Sequence, residues 1–250
     1  MRVLALDTTS RAGSVALVDD DRVIAERRGD PSRTHAERLP REILALLADH
    51  GWQSSDIELF AVASGPGSFT GLRVGIATIQ GLAFVHGRRI AAVSALDALA
   101  QAAGRDLDAG AIVGVWTDAH RRDVFTSLYQ IGSEPAFTPA RLTHVDAPAV
   151  GDPAATLLRW PALIGREPIV FAGEGAMQYR DLIRAQQPDA CIIEAPPLAG
   201  VIGLMAAIMA ETGDTIEPAE VRPLYVRRPD AEVDREKKMF ATKDTKDKFQ

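Results

Sequence analysis

The residues best suited to chemistry lie in one stretch, Ser64-Gly65-Pro66-Gly67-Ser68-Phe69-Thr70-Gly71-Leu72-Arg73-Val74-Gly75. It sits between an apolar run, Leu59 to Ala63, and a helical pattern from Thr70 to His86. A strand, a glycine-rich turn and a helix N-terminus in that order aim free backbone amides at an anion. A phosphate site is one reading. The loop lacks the Lys-Ser/Thr pair that closes a P-loop, and its glycines at 65, 67 and 71 miss the dinucleotide spacing by one residue. The other reading is steric: Gly71 and Gly75 lie four apart on one helix face and admit a close neighbour. Asp7-Thr8 at the end of the first apolar run has the types to hold a magnesium-bound phosphate, and equally those to close a turn.

Other chemistries find less. The five histidines are scattered singly, without helical pairing or a nearby cysteine, so no zinc or iron constellation is spelled out. The lone Cys191 sits in an apolar run where a thiol is inert. No Gly-x-Ser-x-Gly elbow surrounds a serine.

These residues need elements to hold them. Val3 to Leu6, Val15 to Val18 and Val23 to Ala25, separated by polar turns, predict three antiparallel strands. Thr34 with Glu37 has capping-box spacing, and Leu39, Ile43, Leu46 and Leu47 then share one side of a helix that stops at Gly51. Pro40 predicts a kink or break near Ala36. Ile90 to Val93 is a strand, after which Ser94 caps a helix through Ala103. The series then restarts, with strands at Ala111 to Thr117 and Val124 to Ile131 and a Pro-rich, weakly patterned stretch to Ala162. A strand at Ile169 to Ala172, a helix at Ala176 to Gln186, a strand at Cys191 to Glu194 and a helix at Leu198 to Thr212 complete it. Strands followed by alternating strand and helix in both halves predict two α/β lobes, residues 1–105 and 106–228. Residues 229–250 mix acids and bases with few apolar side chains and are expected to be a mobile tail.

Composition narrows the setting. The chain has 250 residues, 46% apolar and 25% charged, with a net charge of −6, so phosphate neutralisation by the whole surface is excluded and RNA contact requires a local patch or a partner. The longest uncharged apolar stretch, Ala195 to Ala210, contains two prolines and falls short of the roughly 18 to 20 residues of a membrane span. Asp7 interrupts the first apolar run, which argues against a secretory segment. A cytoplasmic protein without membrane contact is expected. The Thr70 to His86 helix is apolar or small around most of its circumference, which predicts cover on more than one side, by its own lobe or by another chain.

In order, Met1 to Ser10, Thr34-His35-Ala36-Glu37-Arg38-Leu39-Pro40, the glycine loop, Asp118-Ala119, Gly173-Glu174-Gly175-Ala176 and Pro223-Leu224-Tyr225-Val226-Arg227 resemble the TsaB (YeaZ) family across residues 1 to 228. The resemblance implies an α/β actin-like ATPase (ASKHA) fold of two RNase H-like lobes, each a mixed sheet flanked by helices. It implies a non-catalytic subunit that binds no cofactor alone and partners the catalytic paralogue TsaD in making threonylcarbamoyladenosine on tRNA. The ATPase TsaE joins the full complex, a homodimer forms when TsaD is absent, and tRNA is met only indirectly. The metal pair of TsaD-like proteins falls on Ala95 and Leu99, which cannot ligate. The resemblance places the partner interface on the two N-terminal-lobe helices, with Leu39, Ile43, Leu72, Gly75, Ile76 and Ile79 in contact and His35, Arg38 and Arg73 at a polar rim. The competing reading from the residues is a phosphotransferase or nucleotide hydrolase using Asp7 and the Gly65 to Gly71 loop.

Overall fold

The computed structural model describes residues 1–165 and 167–226; the tail at 229–250 lies outside them. Three short strands open the chain, β1 (Arg2–Asp7), β2 (Ser14–Asp19) and β3 (Arg22–Arg28), and pair as an antiparallel meander. Helix α1 (His35–Asp49) leads to β4 (Leu59–Gly65), and α2 (Phe69–His86) leads to β5 (Ile90–Ser94). Both new strands run parallel to β1, so the sheet order is β3-β2-β1-β4-β5.

After α3 (Ala95–Ala103) the same topology repeats. Strands β6 (Ile112–Asp118), β7 (Val124–Ile131) and β8 (Leu142–Gly151) are antiparallel. The short helices α4 (Pro153–Arg159) and α5 (Pro161–Ile164) precede β9 (Ile169–Ala172); α6 (Glu174–Gln178) and α7 (Arg180–Gln186) precede β10 (Cys191–Ile193). The second sheet is ordered β10-β9-β6-β7-β8, the first sheet's pattern over again. Helix α8 (Ala199–Glu211) ends the second half.

Sheets follow the division near residue 105; the helices between them do not. Helix α3, from the first half, packs on β6, whereas α8, from the second half, lies across β1 and β2. Gly203 permits this, since a side chain there would collide with Val18 and Ala5. The central core is therefore shared, joining Val3, Ala5 and Val18 to Leu99, Val113, Val115, Ile202 and Ala206. Outside the first sheet, α1 and α2 cover Leu4, Leu6, Leu17 and Phe60. Outside the second, α4 to α7 enclose Trp116, Trp160 and Phe171.

Three local expectations change. Pro40 does not interrupt α1, because both Pro40 and Ala36 face solvent and water can satisfy the freed carbonyl. The Pro-rich stretch hides β8, an edge strand whose pairing skips between Asp146 and Ala149, so Pro148 falls in a bulge where its missing N–H breaks no ladder. The helix expected over Ala176 to Gln186 is two helices divided at Tyr179, which packs against the aromatic cluster in a non-helical conformation.

Candidate functional site

The first strand ends at Asp7, whose carboxylate is buried. Its Oδ1 accepts from the amide of Thr9 at 2.9 Å and from the Thr9 hydroxyl at 2.6 Å, closing the turn after β1. Burial pushes the Asp7 carboxyl above its usual range; the two Thr9 hydrogen bonds, then nearby His35 and Arg38, oppose it. Asp7 thus does what a turn-closing aspartate does. Thr8 is fully buried.

The glycine loop is built around these two threonines. A Cβ at Gly67 would meet Thr9, one at Gly71 the Thr8 carbonyl, and one at Gly75 the Thr8 hydroxyl. Ser68 donates its amide to the Thr9 carbonyl at 2.8 Å, and its hydroxyl caps α2 by accepting from Gly71 N at 3.2 Å. The steric reading of the glycines accounts for all three positions: they bring α2 against the end of β1. Phe69 and Thr70 emerge on the exposed side, while Gly65 and Pro66 are buried where the Leu224 amide donates to Ser64 O at 2.7 Å.

The interface residues expected from sequence divide sharply. Leu39, Ile43, Leu72, Ile76 and Ile79 are at most 5% exposed and fill the lobe's own core, and Gly75 is buried beneath Thr8. Side chains buried in this way are not available as contact positions. Arg38 is buried too, donating to the Ala12 carbonyl, to His35 Nδ1 at 2.7 Å and to Glu42 at 2.5 Å. His35 Nε2 lies 3.0 Å from the Ser10 carbonyl, so it is the proton-bearing nitrogen of a neutral ring, and burial followed by the Arg38 charge lowers the ring's pKa. This pair ties the β1–β2 turn to α1. Arg73 alone remains a surface residue, stacked over Phe69 at 3.9 Å with Nε donating to Tyr225 at 3.0 Å.

What faces outward instead is an apolar strip that the sequence reading missed. On α2, Ala77 and Gly81 are exposed, Phe84 is 81% exposed and Val85 76%. Nothing approaches Gly81. On α1, Pro40, Ala45 and Ala48 are exposed, with Leu44 at 65%. Because α1 and α2 lie side by side on one face of the first sheet, both strips look away from the same side of the molecule. Large apolar side chains so placed mark a surface that meets something. The sequence signal was ambiguous: along α2, small and apolar residues recur on both faces, and the glycine contacts with Thr8 decide which face is inner.

Between the lobes lies a cleft of about 900 Å³, lined from one side by Ser10, Arg11, Arg28 and Arg33 and from the other by Asp118, Glu174 and Glu194. Asp118 begins a hairpin turn in which His120, Arg121 and Arg122 all have positive φ, 59°, 56° and 69°. Its carboxylate supports that turn by accepting from His120 N at 2.8 Å. Ala95, at 2% exposure, and Leu99, fully buried against Gly173, are core residues. Among the described residues no group of histidines, cysteines and carboxylates is placed to hold a metal ion.

The family model for TsaD, tRNA N6-adenosine threonylcarbamoyltransferase, matches residues 29–193. The chain is 33% identical over 185 residues to the tRNA threonylcarbamoyladenosine biosynthesis protein TsaB of Bacillus subtilis, covering 73% of this chain and 75% of that protein. YeaZ from Pseudomonas aeruginosa superposes with a TM-score of 0.72 at 30% identity, covering 90% of this chain and 99% of YeaZ. The activator of the 2-hydroxyisocaproyl-CoA dehydratase from Clostridium difficile, solved with bound ADPNP, shares the fold alone, at 13% identity and a TM-score of 0.52 over 90% of this chain and all of that one. The doubled sheet topology is thus the actin-like ATPase fold. Among the described residues no helix is long and apolar enough to cross a membrane.

Proposed function

The chain belongs to the TsaB (YeaZ) branch of the TsaD family, and from that premise we propose that it is a non-catalytic scaffold subunit for threonylcarbamoylation of adenosine 37 in tRNA. It binds the catalytic paralogue TsaD through the outward faces of α1 and α2. The single observation that carries this reading is the bare strip of Leu44, Ala77, Gly81, Phe84 and Val85 on two helices whose other faces are already filled. Burying one such large side chain is worth about 1.5–3 kcal/mol, so a few of them suffice for a specific complex.

The candidate reacting groups support a scaffold over an enzyme. Asp7 Oδ1 accepts twice from Thr9 and the loop glycines pack on Thr8 and Thr9, structural roles that call for no bound phosphate. A scaffold of this kind activates by binding the competent conformation of TsaD more tightly than the idle one. Alone in the cytoplasm the same strip pairs with a second copy; TsaE joins the TsaD-bound form, and tRNA is reached through TsaD. The test is to mix the purified chain with TsaD at micromolar concentration and follow elution and tRNA modification. Co-elution, with modification only in the mixture, is expected; separate elution, or modification by this chain alone, defeats the proposal.

A further inference from the structure

The last described segment runs along α2 as a strap. Ile216 pairs with Ile90 at the start of β5, Gln80 Nε2 donates to Pro218 O at 2.7 Å, Val221 is buried in the first-lobe core, and the Leu224 amide donates to Ser64 O. Its direction is therefore opposite to that of α2. Tyr225 then lands on the exposed side of the helix, its ring stacked on Phe69 at 5.3 Å and its hydroxyl accepting from Arg73 Nε at 3.0 Å. Phe69 and Arg73 open the outward row that continues through Ala77, Gly81 and Phe84, residues three and four apart on one helix face. The chain thus leaves the described residues at Val226, beside the head of the bare strip.

The sequence that follows is long enough to cover the strip and carries side chains suited to it. Residues 227–250 set Val233, Met239, Phe240 and Phe249 among their charges. Pro229-Asp230 is a turn pair, which supplies the reversal that a chain moving against α2 needs in order to come back along it. Along the helix, Arg73 to Phe84 is roughly 17 Å at about 1.5 Å per residue. From Asp230 to Phe240 the chain spans about 15 Å as helix and about 33 Å extended, values that bracket the strip. In helical form Val233 and Phe240 fall two turns apart on one side. Tethering favours the contact further, since a linked segment acts at an effective concentration of about a millimolar.

We propose that the C-terminal segment, residues 230–249, folds back over α1 and α2 and lays Met239 and Phe240 against Leu44, Phe84 and Val85, so that the chain's own tail competes for the surface on which TsaD docks. The competition rests on the scaffold reading; the contact does not. Every lysine of the chain, Lys237, Lys238, Lys243, Lys246 and Lys248, lies in this segment. An amine-reactive photo-crosslinker on the full chain therefore reports where the tail goes, the Met1 amine being separable by its own peptide. Crosslinks from these lysines to α1 and α2 are expected, and within one chain when ordinary and heavy-isotope protein are mixed. Phe240→Asp should reduce them about ten-fold or more, since a carboxylate is costly to bury against apolar side chains. A strip free about one tenth of the time binds a partner about ten-fold more weakly, so Phe240→Asp should tighten association with TsaD by about that factor. Crosslinks spread over the whole surface, crosslinks only between copies, or a yield indifferent to Phe240→Asp overturn the contact. Crosslinks lost with TsaD affinity unchanged overturn the competition. If neither protein binds TsaD, the scaffold reading and the competition fall together, while the crosslinks still establish or refute the contact.

Discussion

Glu26 on β3 accepts the backbone amide of Gly200, the second residue of α8, at 2.9 Å, while Ser14 on β2 accepts the preceding amide, Ala199, at the same distance. Helix α8 has no cap of its own, and its residue before the first turn is Leu198. Two strands of the first lobe thus satisfy the helix that arrives from the second, and the carboxylate doing so is half-buried beside Asp7.

A pH dependence follows from this cap. Burial raises the carboxyls of Glu26, Asp7 and Glu174, with Asp7 adding to the repulsion on the other two. A carboxyl raised on folding favours the protonated native state, so its contribution is largest at low pH and is lost as pH climbs from the ordinary carboxylate value through the raised one. The three together are expected to make the chain's thermal midpoint fall from pH 5 to pH 8, apart from the effects of other groups. Glu26→Gln keeps an acceptor for Gly200 and should flatten part of that slope, whereas Glu26→Ala leaves the amide unpaired and should cost about 1–2 kcal/mol at either pH. Thermal melts of the three proteins at matched ionic strength check it; a slope unchanged in Glu26→Gln would remove Glu26 from the account.

The two faces of α2 should respond oppositely to glycine replacement. At Gly75 a methyl would collide with the Thr8 side chain, so Gly75→Ala is expected to destabilise by about 1–3 kcal/mol. At Gly81 there is open space, and Gly81→Ala in mid-helix should stabilise the isolated chain by about 0.4–1 kcal/mol. Urea midpoints measure both, and a shift of the same sign in the two variants contradicts the assignment of inner and outer faces.

Charge on the outer face should spare the fold and damage assembly. Leu44→Asp and Phe84→Asp replace side chains that are already exposed, so each should leave the melting temperature within about 2 °C. Each should weaken the complex with TsaD, or the homodimer, by about 2 kcal/mol or more, some thirty-fold. Ile76→Asp, at 5% exposure, is the contrasting variant and is expected to unfold the lobe. Sedimentation of the folded variants decides the matter: unaltered association in Leu44→Asp and Phe84→Asp would move the interface elsewhere.

Why the sequence misled at these positions is a matter of period. Helix α1 was legible because its capping box and the spacing of Leu39, Ile43, Leu46 and Leu47 agree, and those leucines do face the core. On α2, glycine, alanine and β-branched residues occupy every face, so periodicity could announce a helix but not its orientation; that depended on Thr8, distant in sequence. Strand β8 was illegible for a related reason: an edge strand with a bulge and half-exposed side chains carries no clean alternation. The doubled topology could be read because both halves open with hairpins of buried, β-branched strands. The exchange of α3 and α8 between lobes could not, since nothing in a helix's own pattern names the sheet it will cover.

The clamp beneath the cleft supplies a last prediction, in which one residue is read through another. His35 is held neutral first by burial and then by the Arg38 guanidinium, which donates to its Nδ1. Removing that charge as Arg38→Met should raise the His35 pKa toward the ordinary histidine value, a change visible in its ring proton shifts by NMR titration. It also strips the Ala12 carbonyl and Glu42 of a buried donor, so stability is expected to drop by about 1–3 kcal/mol. Arg38→Lys keeps a charge near the ring but lacks the planar fork that serves three acceptors at once, and should restore the low His35 pKa more fully than the stability. If His35 titrates alike in all three proteins, its neutrality comes from burial alone and the Arg38 charge has no part in it.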